Sequence, residues 1–170
     1  MIMKVIGALM ILGVSGWVGF RIAAEQRREE SIQQQLIAAL DYMQCELQYR
    51  RTALPELCRK AAAETTGKLR EVFLNLSHEL EDQISPDVQL CMHAALVRCK
   101  SLPTTVISCL QLLGQTLGRF DLDGQLLGFE AVRQTCRLKL DALRCNRDVR
   151  LRSYQTLGLC AGAALVILFI

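Results

Sequence analysis

Aromatic residues are scarce in this chain, at 5%, with one Trp and only three Pro. Runs of alternating apolar and polar residues are absent as well, so nothing in the pattern supports β-strands. With 51% hydrophobic and 22% charged residues, neither a disordered tail nor a collagen-like chain fits. The net charge is only +3, and Tyr42, Tyr49 and the few Phe are not interleaved with basic residues as stacking platforms would be. Nucleic-acid binding is therefore not expected. A length of 170 residues leaves room for one modest domain and excludes a large multidomain enzyme.

The familiar chemical motifs are missing too. Gly67-Lys68 lacks the earlier Gly and the following Ser or Thr of a P-loop. Asp121-Leu122-Asp123-Gly124 opens like a calcium loop, but Leu126 stands where the turn Gly belongs and Val132 where the bidentate Glu belongs. Eight Cys are present without a single C-x-x-C. Cys91 and Cys99 share a helix face about 12 Å apart, and Cys136 and Cys145 point to opposite faces, so neither pair alone grips a zinc ion. His93 beside Cys91 could join a site only across helices. Glu79, Glu81 and Asp82 read as a solvated helix face, with His78 a surface residue beside them. The sequence thus names no catalytic, cofactor-binding or metal residue, no cofactor, and no enzyme.

What is present is a segregation of charge. All but one of the Lys, Arg, Asp and Glu residues fall between Arg21 and Arg152. Val5–Phe20 and Tyr154–Ile170 are uncharged, and each approaches the roughly 20 residues of a membrane span. Arg21, Arg27 and Arg28 follow the first segment and Arg144, Arg147, Arg150 and Arg152 precede the second, which places the middle in the cytoplasm. The expected organisation is a transmembrane helix over 1–24, a cytoplasmic helical domain over 25–152 and a second transmembrane helix over 153–170. A cleaved signal peptide fits less well, because Arg21 intervenes before the small residues Ala23 and Ala24. Gly158 and Gly162 have the small-xxx-small spacing that lets helices approach closely. Seven basic residues against Asp141 and Asp148 over Arg133–Arg152 suit contact with anionic lipid. A homo-oligomer is compatible with these features, which do not set its size.

The middle is all-α by its spacing. Leu36, Ile37, Leu40, Met43 and Leu47 recur at helical intervals, as do Leu69, Val72, Phe73, Leu76 and Leu80. Thr52 as cap with Pro55 in the first turn, Gly67 as terminator, Ser85 with Pro86, and Pro103 with Thr104 divide it. The spacing predicts helices near 30–50, 53–65, 68–83, 86–100 and 104–119, and a last one from Asp121 or Asp123 running on into the second span. This is a bundle of five or six helices. In the last helix Gly128 is the weak point, about 1 kcal/mol poorer than Ala, so Gly128→Ala should stiffen the stem, whereas if Gly128 ends a helix or sits against a neighbouring backbone even Ala is harmful. Gly114 and Gly118, four apart, suit close helix packing.

Two stretches carry a resemblance. Glu46-Leu47-Gln48-Tyr49-Arg50-Arg51-Thr52-Ala53-Leu54-Pro55-Glu56-Leu57 resembles E-x-x-Y-x-x-T-P-L-P-E-A, with Ala53 where Pro is usual. Leu113-Gly114-Gln115-Thr116-Leu117-Gly118-Arg119-Phe120-Asp121, followed by Gln125, resembles L-G-x-x-L-G-x-x-D-x-x-x-Q. Framed by two apolar ends, they are similar to the stage III sporulation protein AB family over essentially the whole chain. That resemblance implies a scaffold in the mother-cell membrane, part of the channel complex joining mother cell and forespore. It also implies likeness to the platform protein of type II secretion and type IV pilus systems, with a cytosolic ATPase and the other channel proteins as partners. Tyr49 and Glu56 are the candidate partner contacts. The competing reading is a membrane-anchored thiol oxidoreductase using a subset of the eight Cys, which needs an accessible thiolate of depressed pKa.

Overall fold

Helix-forming residues with few breakers yield six helices in the computed structural model, and no strand among the described residues. Backbone is described for residues 2–82, 87–99, 101–118 and 122–169, and side chains for 21, 24–82, 87–99, 101–118 and 122–145. The helices are α1 (Ile2–Arg50), α2 (Leu54–Ala63), α3 (Gly67–Glu81), α4 (Val88–Arg98), α5 (Thr104–Thr116) and α6 (Leu122–Phe169). Two compact units result. One is Ser31–Ala142; the other pairs Met1–Glu30 with Leu143–Ile170.

In the 31–142 unit each helix turns an apolar stripe inward. α1 buries Leu36, Ala39, Leu40, Met43 and Leu47, and α3 buries Leu69, Val72, Phe73 and Leu76 at the same i, i+3, i+4, i+7 intervals. Phe73 and Phe129 are the largest fully buried side chains. Successive helices pack on one another: α2 on α3, α3 on α4, α4 on α5. α1 closes the set through Gln33, which reaches residues of α5 and α6, and through Asp41, paired with Arg133 of α6 at 2.8 Å. The corner between α2 and α3 is tied to α1 as well, since Thr66 donates from its backbone N and its hydroxyl to Gln35 Oε1 at 3.1 and 2.9 Å.

In the other unit, Arg144 Nε donates to Glu30 Oε1 at 2.8 Å. Among the described residues no helix is long and apolar enough to cross a membrane. The two segments expected to do so, 5–20 and 154–170, belong to α1 and α6, but their side chains lie outside the described residues.

Several local expectations change. Thr52 does not cap α2: Ala53 holds that position without a side-chain bond, and Pro55 sits in the first turn. Gly67 opens α3 at φ +60 rather than simply ending α2. The cap of α4 is Asp87, whose carboxylate accepts from the Gln89 backbone N at 3.1 Å, while Ser85 and Pro86 lie outside the described residues. Glu79 is not solvated. It is 7% exposed and receives Arg98 at 2.7 Å.

Candidate functional site

The first resembling stretch folds into the corner where α1 hands over to α2, and its organising residue is Glu46. Tyr42, Glu46 and Arg50 follow one another every four residues, which stacks them along one side of α1. Glu46 is buried, at 8% exposure, yet its polar neighbours are all donors. Lys60 Nζ of α2 reaches Glu46 Oε2 at 2.9 Å and the Thr52 hydroxyl reaches the same oxygen at 3.0 Å. Arg50 NH1 lies 3.2 Å from Oε1 and the Tyr42 hydroxyl donates to Oε1 at 3.3 Å. One carboxylate therefore ties together the end of α1, the turn and the second half of α2.

The electrostatics follow from that crowding. The hydrogen bond from Lys60 holds the Glu46 carboxyl below its usual range against the opposing effect of burial, helped by Thr52 and Arg50. Lys60 is correspondingly raised, first by its hydrogen bond to Glu46. Tyr42 is raised by burial and then by the adjacent Glu46 charge. The turn itself is strained: Arg51 takes φ +49, the left-handed region that favours Gly, while its backbone N still donates to Leu47 O at 3.2 Å.

Of the sequence-derived contact residues, Tyr49 stands outside this polar knot and Glu56 sits at its edge. Tyr49 is 78% exposed, the most exposed large hydrophobic side chain among the described residues. Glu56 is exposed and pairs with Lys60 at 3.5 Å, so it belongs to the same charge network. The motif E-x-x-Y-x-x-T marks Glu46 and Thr52 as positions of the resemblance without giving Glu46 a role and with Thr52 cast as a cap, and nothing in the sequence marks Lys60. A second signal is that Glu46 directly precedes Leu47 and lies three residues after Met43, which sets a charge on the apolar stripe of α1.

The second resembling stretch folds differently from its spacing. A Cβ on Gly114 would lie 2.8 Å from Met92 Cβ, so α5 and α4 are in close contact there. Gly118 does not share that helix face: α5 ends at Thr116, Leu117 turns extended, and Gly118 adopts φ +75 against Val88. Gly158 and Gly162 lie outside the residues whose surroundings are described. Gly128, the weak point of the stem by propensity, is closely packed. A Cβ there would stand 2.7 Å from Thr116 Cβ, so it marks a close approach of α6 to α5.

The cysteines remain free thiols among the described residues. Five are buried and two, Cys45 and Cys145, are exposed. Burial pushes Cys58 up to about 12. No group of three or more His, Cys, Asp or Glu among the described residues is placed to hold a metal ion. His93 is exposed while Cys91 is buried, which separates the pair considered for such a site.

The family model for stage III sporulation protein AB matches residues 4–170. A solved structure of a stage III sporulation protein AB superposes with a TM-score of 0.62 at 19% identity, over 69% of this chain and 94% of that one. At that identity the likeness concerns the fold. No curated protein sequence matches the chain. With a family model spanning all but the first three residues, the chain belongs to the stage III sporulation protein AB family.

Proposed function

We propose that this chain is a membrane platform of the sporulation channel complex between mother cell and forespore, and that its α1–α2 corner docks a cytosolic secretion-type ATPase. Val5–Phe20 and Tyr154–Ile170 serve as its two spans in the mother-cell membrane, with the 31–142 unit on the cytoplasmic side. The observation that carries the docking part is Tyr49, a 78% exposed aromatic on a corner stiffened by a buried carboxylate. Aromatic side chains presented on a preorganised frame give contact area at little entropic cost. The reading includes no catalytic step and no cofactor. The thiol oxidoreductase alternative gains no support from the five buried thiols.

Co-purification of the full chain with the ATPase of the same complex, from membranes in mild detergent, tests the docking. Tyr49→Ala should reduce recovery of the ATPase at unchanged thermal stability of the chain, and Glu56→Gln should reduce it with no more than a small loss of stability from the exposed pair with Lys60. Undiminished recovery with both variants removes the α1–α2 corner as the docking surface.

A further inference from the structure

The chain leaves α1 through three consecutive exposed residues, Tyr49, Arg50 and Arg51. Arg51 takes φ +49 and is the one non-Gly residue with positive φ among the described residues. The end of α1 calls for this conformation, since the Arg51 backbone N donates to Leu47 O as the chain turns towards α2. Gly would adopt it without steric strain, whereas a side chain makes it unfavourable. Nothing local compensates for an arginine here. A cation in the last turn suits the helix dipole, but Arg50 already provides one. Arg50 pairs with Glu46, and Lys60 pairs with Glu46 and Glu56. Among the described residues the Arg51 guanidinium has no carboxylate partner.

Backbone strain kept beneath an exposed, unpaired side chain points to a use for that side chain. Arg and Tyr are residue types that concentrate binding energy at protein interfaces, and here both stand on a corner braced by the bonds of Glu46 to Thr52 and Lys60. We infer, on the docking role proposed above, that Arg51 takes a carboxylate of the docked protein, whose surface is acidic where it meets the end of α1. A guanidinium binds a carboxylate bidentately and stays charged throughout the working pH range, and Tyr49 supplies apolar contact area beside it.

A protein fits this corner better than anionic lipid does. The chain continues towards the uncharged segments from Ser31 and Ala142, and Ser31 and Arg50 are about 30 Å apart along α1. Attraction to anionic lipid fades within a Debye length of about 8 Å.

The experiment measures ATPase binding to the full chain in detergent micelles at rising sodium chloride, alongside thermal melts. Arg51→Gly should raise Tm, because the strain is relieved, and yet weaken ATPase binding several-fold with a flatter salt dependence. Arg51→Glu should abolish binding. Arg51→Lys, which keeps the charge but not the planar fork, should bind with an affinity between wild type and Arg51→Gly. The loss for Arg51→Gly should persist after reconstitution into neutral phosphatidylcholine vesicles. A more stable Arg51→Gly that binds the ATPase as well as wild type overturns the inference. A variant that loses Tm and binding together overturns it as well, since Arg51 then acts on folding alone. A loss seen only in vesicles that contain phosphatidylglycerol overturns it in favour of lipid. Where Tyr49→Ala weakens binding and the Arg51 variants do not, the acidic partner surface is refuted and the docking role stands; where neither does, both fall together.

Discussion

Glu46 illustrates how much one side chain can organise when it is charged and enclosed. A lone buried carboxylate is strongly unfavourable, and here Lys60, Thr52, Arg50 and Tyr42 supply the donors that make it tolerable. An amide in its place keeps one acceptor oxygen but turns an N–H2 donor towards donors and removes the charge that Lys60 and Arg50 face. Glu46→Gln should therefore lower Tm at neutral pH and loosen the corner that presents Tyr49. The pH dependence follows from the direction of the shift. A carboxyl held below its usual value of 4.5 contributes stability that is present above that value and lost as pH falls through the lower native one. The wild-type Tm should fall as the pH drops below 4.5 and through the lower native value, and its margin over Glu46→Gln should shrink with it. For Lys60, raised from 10.5, the contribution is intact below that pH and disappears only on the alkaline side. Thermal melts of both proteins across this range check the assignment; parallel curves would show that Glu46 is not the titrating group.

Helix ends and helix contacts obey two different kinds of constraint. Ends are set by local chemistry, as at α4, where the Asp87 carboxylate meets a backbone N–H that the helix cannot satisfy itself. Asp87→Ala should cost about 1 kcal/mol, measured by urea unfolding. Contacts are set by the neighbour. Considered alone, α6 would gain about 1 kcal/mol from Gly128→Ala, but the new methyl would lie 2.7 Å from Thr116 Cβ. Overpacking of this sort costs about 1–3 kcal/mol. Gly128→Ala should therefore lower stability, and a higher Tm would show that α6 can shift away from α5. Gly114 faces the same limit against Met92.

At the level of the whole chain, the charge segregation and the two compact units describe the same division from different directions. The 31–142 unit holds nearly all of the described core, with Phe73 and Phe129 fully buried within it. Residues 1–30 and 143–170 group together as the second unit, and they contain both uncharged segments. In the proposed topology both termini lie on the side of the membrane away from the 31–142 unit. A cytoplasm-dependent fluorescent reporter fused after Ile170 should stay dark, and an export-dependent reporter at the same place should be active. A bright cytoplasmic fusion would overturn the two-span arrangement.

Helix content and most helix limits are legible in the amino-acid sequence itself, because they depend on short-range facts. Leu69, Val72, Phe73 and Leu76 recur on one face whatever they pack against, and Pro103 with Thr104 opens α5 by its own backbone restriction. The same local logic misassigns Thr52, whose hydroxyl suits a cap of α2 but is taken by Glu46 at 3.0 Å once the chain folds. Spacing groups Gly118 with Gly114, yet a four-residue interval shares a face only while the helix continues, and α5 stops at Thr116. The acidic neighbours of Glu79 suggest a solvated face, although Arg98 from the next helix encloses it. The Cys109–Cys136 pair is separated by 27 positions and joined by Gln33 from a third helix, so no spacing rule finds it. Periodicity records which face of a helix turns inward. Which residue of another helix lies opposite depends on packing, and the buried ion pairs, the close glycine contacts and the Gln33 bridge between Cys109 and Cys136 all belong to that second kind of information.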